Sequence, residues 1–211
     1  MVLQNRVDPS GALHGVPARG LFTGNRGVIH DPETKTLLGR RWTTKAWIIC
    51  ALAHPRGVKR QPMGRNGPDG RAGWTELFFL DEVTALAAGH RPCFYCRRDA
   101  ARAFSACVAT GIGMDAASAP MMDAILHRQR LASGDRARRL GPADLAALPD
   151  GAMVEAGGRA YGLRHGRALP WDFSGYGKAT NLPDQARLLT PPATVAALIA
   201  GYRPVWHPSA S

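Results

Sequence analysis

The sequence predicts an α+β protein, with small mixed sheets and short helices around a zinc knuckle and a C-terminal α+β segment after it. Three observations lead there. Short β-prone runs such as Leu77-Phe78-Phe79 alternate with helical stretches that carry their own start and stop signals. Two cysteines stand two residues apart in Cys93-Phe94-Tyr95-Cys96, a spacing that lets the backbone turn around one tetrahedral Zn²⁺. No internal repeat, coiled-coil pattern or long apolar run is present, which argues against solenoids and membrane-spanning helices.

The elements follow in order. Residues 19–31 read as strand, turn, strand, with Asn25-Arg26-Gly27 at the tip and Asn25, Arg26 and His30 able to face a phosphate or a base. Residues 42–49 read as a buried strand delivering Cys50, and residues 74–80 as another. Asp81 caps a helix over residues 81–88, and Gly89 suits its left-handed C-terminus. A helix follows from Arg97 to about Ala109, then one over residues 118–133 with Ser118 as cap and Pro120 in the first turn. Gly157-Gly158 joins two strands as a hairpin. Residues 169–177 concentrate aromatics around Asp172, as an aromatic plug or a base-stacking platform. Thr190 is the expected cap of a helix over residues 191–200, stopped by Gly201. The chain divides into a zinc-containing unit, residues 1–112, and a C-terminal region, residues 113–211, which can pack together as one unit.

The knuckle needs further ligands. Cys50 ends an apolar run and is followed four positions later by His54, so Cys50, His54, Cys93 and Cys96 make a Cys₃His set, with His90 as a rival fourth donor. Cys107 shares a helical face with Phe104 and Val108 and reads as a small buried thiol. Four cysteines in 211 residues are too few for a disulfide framework, and the N-terminus carries no secretory pattern, so a bacterial-type cytoplasm is expected.

Residues 43–99 resemble the Ada-type zinc domain of bacterial DNA alkylation repair. The resemblance rests on Thr43-Thr44, Cys50-x-x-x-His54, Phe78-Phe79 and the run Ala87-Ala88-Gly89-His90-Arg91-Pro92-Cys93-x-x-Cys96-Arg97. It implies a zinc-thiolate site, DNA as partner and methyl transfer from a phosphotriester to Cys50. The chain departs from that pattern where His54 replaces a cysteine. A neutral imidazole in place of a thiolate leaves less negative charge around the ion, so Cys50 is expected to be the weaker nucleophile.

Charge points toward a polyanion. Lys+Arg number 27 against 16 Asp+Glu, a formal +11. All but four of the basic residues are arginine, which makes bidentate phosphate contacts that lysine cannot. The expected partner is nucleic acid, DNA ahead of RNA, and not a membrane. The residues expected to touch it are Arg26, Arg56, Lys59, Arg60, Arg91, Arg97, Arg98, Arg128, Arg138 and Arg139, with His127 on the same outer helix face. Glu76, an acid inside an aromatic strand, and Asp172 are the candidate catalytic carboxylates beside Cys50. Three functions fit these residues: a zinc-containing DNA-binding protein of repair or genome maintenance, an enzyme acting on DNA by methyl transfer or hydrolysis, and a non-catalytic regulator or RNA-binding adaptor with a structural zinc.

Overall fold

The computed structural model describes residues 2–57, 59–132 and 139–211. The first half carries β1 (Arg6–Val7), β2 (Leu13–His14), β3 (Phe22–Asn25), β4 (His30–Asp31), β5 (Thr36–Leu37), β6 (Ile48–Ala51), β7 (Leu77–Phe79), α1 (Glu82–Ala87), β8 (Arg91–Pro92) and α2 (Arg98–Gly111). Then come α3 (Ala119–Ala132), β9 (Arg139–Leu140), α4 (Pro142–Ala146), β10 (Met153–Ala156), β11 (Arg159–Arg164), β12 (Arg167–Asp172), β13 (Gly175–Tyr176), β14 (Ala186–Leu188) and α5 (Pro192–Ile199). This is the α+β class that the sequence predicts.

Six strands form a mixed sheet in the order β2-β1-β7-β3-β6-β8, and six form a second sheet in the order β13-β12-β11-β10-β14-β9. In the first sheet β3 lies antiparallel to both β6 and β7, while β8 runs parallel to β6. Gly24 permits the close approach of β3 to β6, since a Cβ there would lie 2.1 Å from the Ile48 carbonyl oxygen. That contact holds β6, the strand of Cys50, against its neighbour.

Helix α1 sits between the two sheets and all six of its residues are buried. It begins where Asp81 Oδ1 accepts from the Thr84 N–H at 2.8 Å and the Thr84 hydroxyl at 2.7 Å, and it ends before Gly89 at φ +82°. Leu86 packs with Ile49, Phe79, Phe104, Met122 and Leu198, so α2, α3 and α5 cover the first sheet. On the other side Val83 and Ala87 pack with Met153, Leu169, Trp171 and Tyr176 of the second sheet. Both clusters draw residues from each side of residue 112.

Several local expectations change. Phe22–Asn25 and His30–Asp31 are both strands but do not pair with each other; the second pairs with β5. Their partners lie elsewhere in the chain because the buried Asn25-Arg26-Gly27 segment is packed inside rather than exposed as a tip. The strands at Cys50 and Phe78 are shorter than predicted, and Glu76 precedes β7. Thr190 does not cap α5: its hydroxyl accepts from the Met153 N–H at 2.8 Å, and Pro191 occupies the cap. The aromatic run at 169–177 is a plug, with Trp171 donating from Nε1 to the Thr84 hydroxyl at 3.0 Å.

Candidate metal centre

The parallel register of β6 and β8 builds the centre. Ile49 pairs with Pro92, and the Cys93 N–H donates to the Ile49 carbonyl at 2.9 Å, so the end of β6 faces the start of the knuckle. The Sγ atoms of Cys50, Cys93 and Cys96 consequently lie within 4.8 Å of one another. The Ala51 N–H donates to Cys96 Sγ and the Tyr95 N–H to Cys93 Sγ, each at 3.4 Å. Backbone dipoles aimed at sulfur favour the thiolate over the thiol.

Three sulfurs this close cannot all ionise unaided. Hydrogen bonds from Cys50 and Cys96 hold the Cys93 thiol well below its ordinary range, whereas the bonds Cys50 makes to Cys93 and Cys96, together with burial, push Cys50 well above it. A cation removes that conflict, and the three cysteines form a cluster able to hold a metal ion. Cys107 takes no part, as expected: it packs on the core beside α5, its Sγ 3.7 Å from the Ala200 carbonyl oxygen.

Neither candidate histidine joins the sulfurs. His54 has no ring nitrogen within 4.8 Å of all three. Its Nδ1 accepts from the Arg56 N–H at 3.2 Å. His90 is fully buried between Trp47 and Phe79, with its Nε2 taking a hydrogen bond from Arg26 Nε at 3.2 Å. It supports the core behind the knuckle rather than the metal.

Beside the cluster, Cys50, Arg60, Trp74 and Glu76 line a cleft of about 10 Å³, room for one water molecule. Burial raises the Glu76 carboxyl above its usual range, and Arg60, the Thr23 hydroxyl and Arg19 oppose that shift. Glu76 and Cys50 line this same cleft. Asp172 does not: it is exposed at the β12–β13 turn, where its Oδ1 accepts from the Ser174 N–H and hydroxyl.

The arginines divide. Arg56, Lys59, Arg98, Arg128 and Arg139 are exposed and Arg60 is half-buried, whereas Arg138 lies outside the described residues. Arg26, Arg91 and Arg97 point inward. Arg91 makes a two-pronged bond to Asp123, with Nε to Oδ1 and Nη2 to Oδ2 both at 2.8 Å, and Arg97 pairs with buried Glu82 at 2.8 Å. Arg26, Asn25 and His30 are all buried, and His127 is turned in against Trp42 with ring centres 4.6 Å apart.

What sequence reasoning missed is aromatic. Tyr95 is 57 % exposed, Trp74 54 % and Phe94 37 %, and all three flank the sulfur cluster. Arg56 lies 5.9 Å from the Tyr95 ring centre, Arg60 5.8 Å from that of Trp74 and Arg91 5.5 Å from that of Phe94. The signal was available, since two aromatic residues inside a Cys-x-x-Cys turn have little room to face inward. The chain matches no family model, no curated protein and no solved structure. Among the described residues, no helix is long and apolar enough to cross a membrane.

Proposed function

We propose that this is a zinc protein that binds DNA in repair or genome maintenance, with Cys50, Cys93 and Cys96 as the protein ligands. Soft thiolates suit Zn²⁺, and a three-thiolate set would leave one of its four positions to another ligand. The observation that carries the DNA reading is the field of exposed Phe94, Tyr95 and Trp74 interleaved with Arg56 and Arg60 around the three sulfurs. Rings of this kind stack on unpaired bases while guanidinium groups hold the backbone. The Ada-type resemblance of residues 43–99 supports the same reading.

Gel-shift titrations with single-stranded, duplex, abasic and alkylated DNA and with RNA test it, run at several salt concentrations. Binding to DNA should weaken steeply with salt. Tyr95→Ala and Trp74→Ala should each cost about 1–3 kcal/mol of affinity for a single strand. Absence of any shift at low salt, or unchanged affinity in both variants, defeats the proposal. Elemental analysis should find one zinc per chain, lost in Cys96→Ser.

A second reading is favoured by the half-buried position of Cys50 in the cleft with Arg60. Here the Cys50 thiolate attacks the methyl carbon of a phosphate methyl triester; the S–C bond forms, the C–O bond breaks and the phosphate diester leaves with the electron pair. Intact-mass analysis after incubation with methylated DNA should show one added methyl on Cys50, absent in Cys50→Ser.

A further inference from the structure

A cavity of about 850 Å³ shares no wall with the cleft at Cys50. Leu37, Trp42, Trp47, Leu188 and Leu189 give it apolar and aromatic sides, and Arg26, Arg40, Arg41, Arg130 and Arg187 contribute to its lining with no carboxylate among the described residues. A mostly apolar chamber of this size with a few converging charges has the character of a small-molecule site.

Arg26 is the informative residue. It is fully buried, and its Nη1 donates to the Gly11 carbonyl at 2.8 Å, while Nη2 has no partner among the described residues. The nearby acid, Asp8, is already committed to Ser10, Ala12 and His14. The indole N–H of Trp47, whose ring centre lies 3.9 Å from the Arg26 guanidinium carbon, is likewise without a partner. Burying a cation without a counter-charge is expensive, and the cavity is where a counter-charge has room to enter. Arg40 and Arg41 are exposed at the same cavity, free to meet a ligand directly. Arg187 is neutralised by Glu155 at 2.6 Å and belongs to the frame.

We propose that this cavity binds a small organic anion, its carboxylate or phosphate held in the field of Arg26, Arg40 and Arg41 and its flat apolar body against Trp42 and the Leu188-Leu189 wall. Arg26 acts from within the wall, as a fixed charge in low dielectric. The inference rests on neither the zinc nor the DNA reading.

Isothermal titration of the metal-loaded full chain tests it with five probes. They are 2-naphthoate, deoxyadenosine 5′-monophosphate, their neutral counterparts 2-naphthalenemethanol and deoxyadenosine, and inorganic phosphate. At least one of the two organic anions should bind, and at least tenfold more tightly than both its neutral counterpart and inorganic phosphate; which of them binds tells carboxylate from phosphate. Arg41→Ala and Arg40→Ala, at exposed positions that spare the fold, should each weaken that binding severalfold, and Arg26→Met should do so by tenfold or more. Failure of both organic anions to bind, equal binding of the neutral counterpart, or unchanged affinity in both exposed-arginine variants overturns the proposal. If Arg26→Met does not fold, the two exposed variants still decide it.

Discussion

Arg97 and Arg26 are two inward-turned arginines, each laid against an aromatic ring, and they differ in what faces the charge. The Arg97 guanidinium carbon lies 4.3 Å from the Phe22 ring centre and that of Arg26 lies 3.9 Å from the Trp47 ring centre. Arg97, however, meets Glu82. Although burial alone would lower its pKa, the hydrogen bond and charge of Glu82 raise it. Arg26 bonds no carboxylate among the described residues; burial, then Arg41 and Arg130, lower its pKa to about 9 against the opposing charge of Asp8, which still leaves it charged at neutral pH. The first arrangement is a fastener and the second is charge held in reserve. Cationic residues that look alike in a composition count therefore do opposite things, and only the partner tells them apart.

The largest effect expected from breaking this contrast is at Glu82. Its Oε1 accepts from Arg97 Nη1 at 2.8 Å and from the Tyr202 hydroxyl at 2.6 Å, and its Oε2 accepts from the Val205 N–H at 3.0 Å. One carboxylate thus ties the residue after the knuckle to the C-terminal segment. Glu82→Ala strands a buried cation and two donors, and should cost about 3–5 kcal/mol in urea denaturation. A loss under about 1 kcal/mol would show that water reaches Arg97 and that the contrast is overdrawn.

Asp123 comes next, at about 3 kcal/mol for Asp123→Ala, because Arg91 is 6 % exposed and loses both prongs of its bond. The sharper measurement is the double variant Arg91→Met with Asp123→Leu. Removing both charges relieves the stranded cation, so most of the stability should return, which a purely local packing defect would not allow.

How much of this could be read from the chain follows from the range of each interaction. The α1 boundaries were legible because Asp81 and Gly89 act within a few residues of themselves, and the Gly157-Gly158 hairpin was legible for the same reason. The three cysteines were legible because their chemistry is rare and their spacing specific. The place of the His54 ring was not legible from spacing, since it depends on how the loop after β6 turns toward the Arg56 N–H. The inward arginines were invisible, since Arg91 finds Asp123 on α3 and Arg97 finds Glu82 across the knuckle, pairings that only the packing of α2 and α3 on the sheet creates. The cavity was equally hidden. Its walls come from Ser10, Arg26, Trp42, Arg130 and Leu189, brought together by the sheet order rather than by sequence proximity.

The smallest effect is the most discriminating, and it falls on Arg26. Arg26→Met strands no carboxylate but leaves the Gly11 carbonyl and His90 Nε2 without their donor while relieving an unpaired buried cation, so it should cost no more than about 1–2 kcal/mol, against the several lost at Glu82. The pH dependence gives an internal check. Between the folded value of about 9 and the ordinary value of 12.5, the unfolded chain holds a proton that the folded chain releases, so stability rises with pH in that window. Below it both states hold the proton and the cost of the buried cation is constant. The difference in Tm between the wild type and Arg26→Met should therefore be flat from about pH 6 to pH 8 and should move in favour of the wild type above about pH 9. A difference that instead follows the titration of carboxylates, changing below about pH 5, would reveal an acid partner for Arg26 and turn the reserve charge into a second fastener.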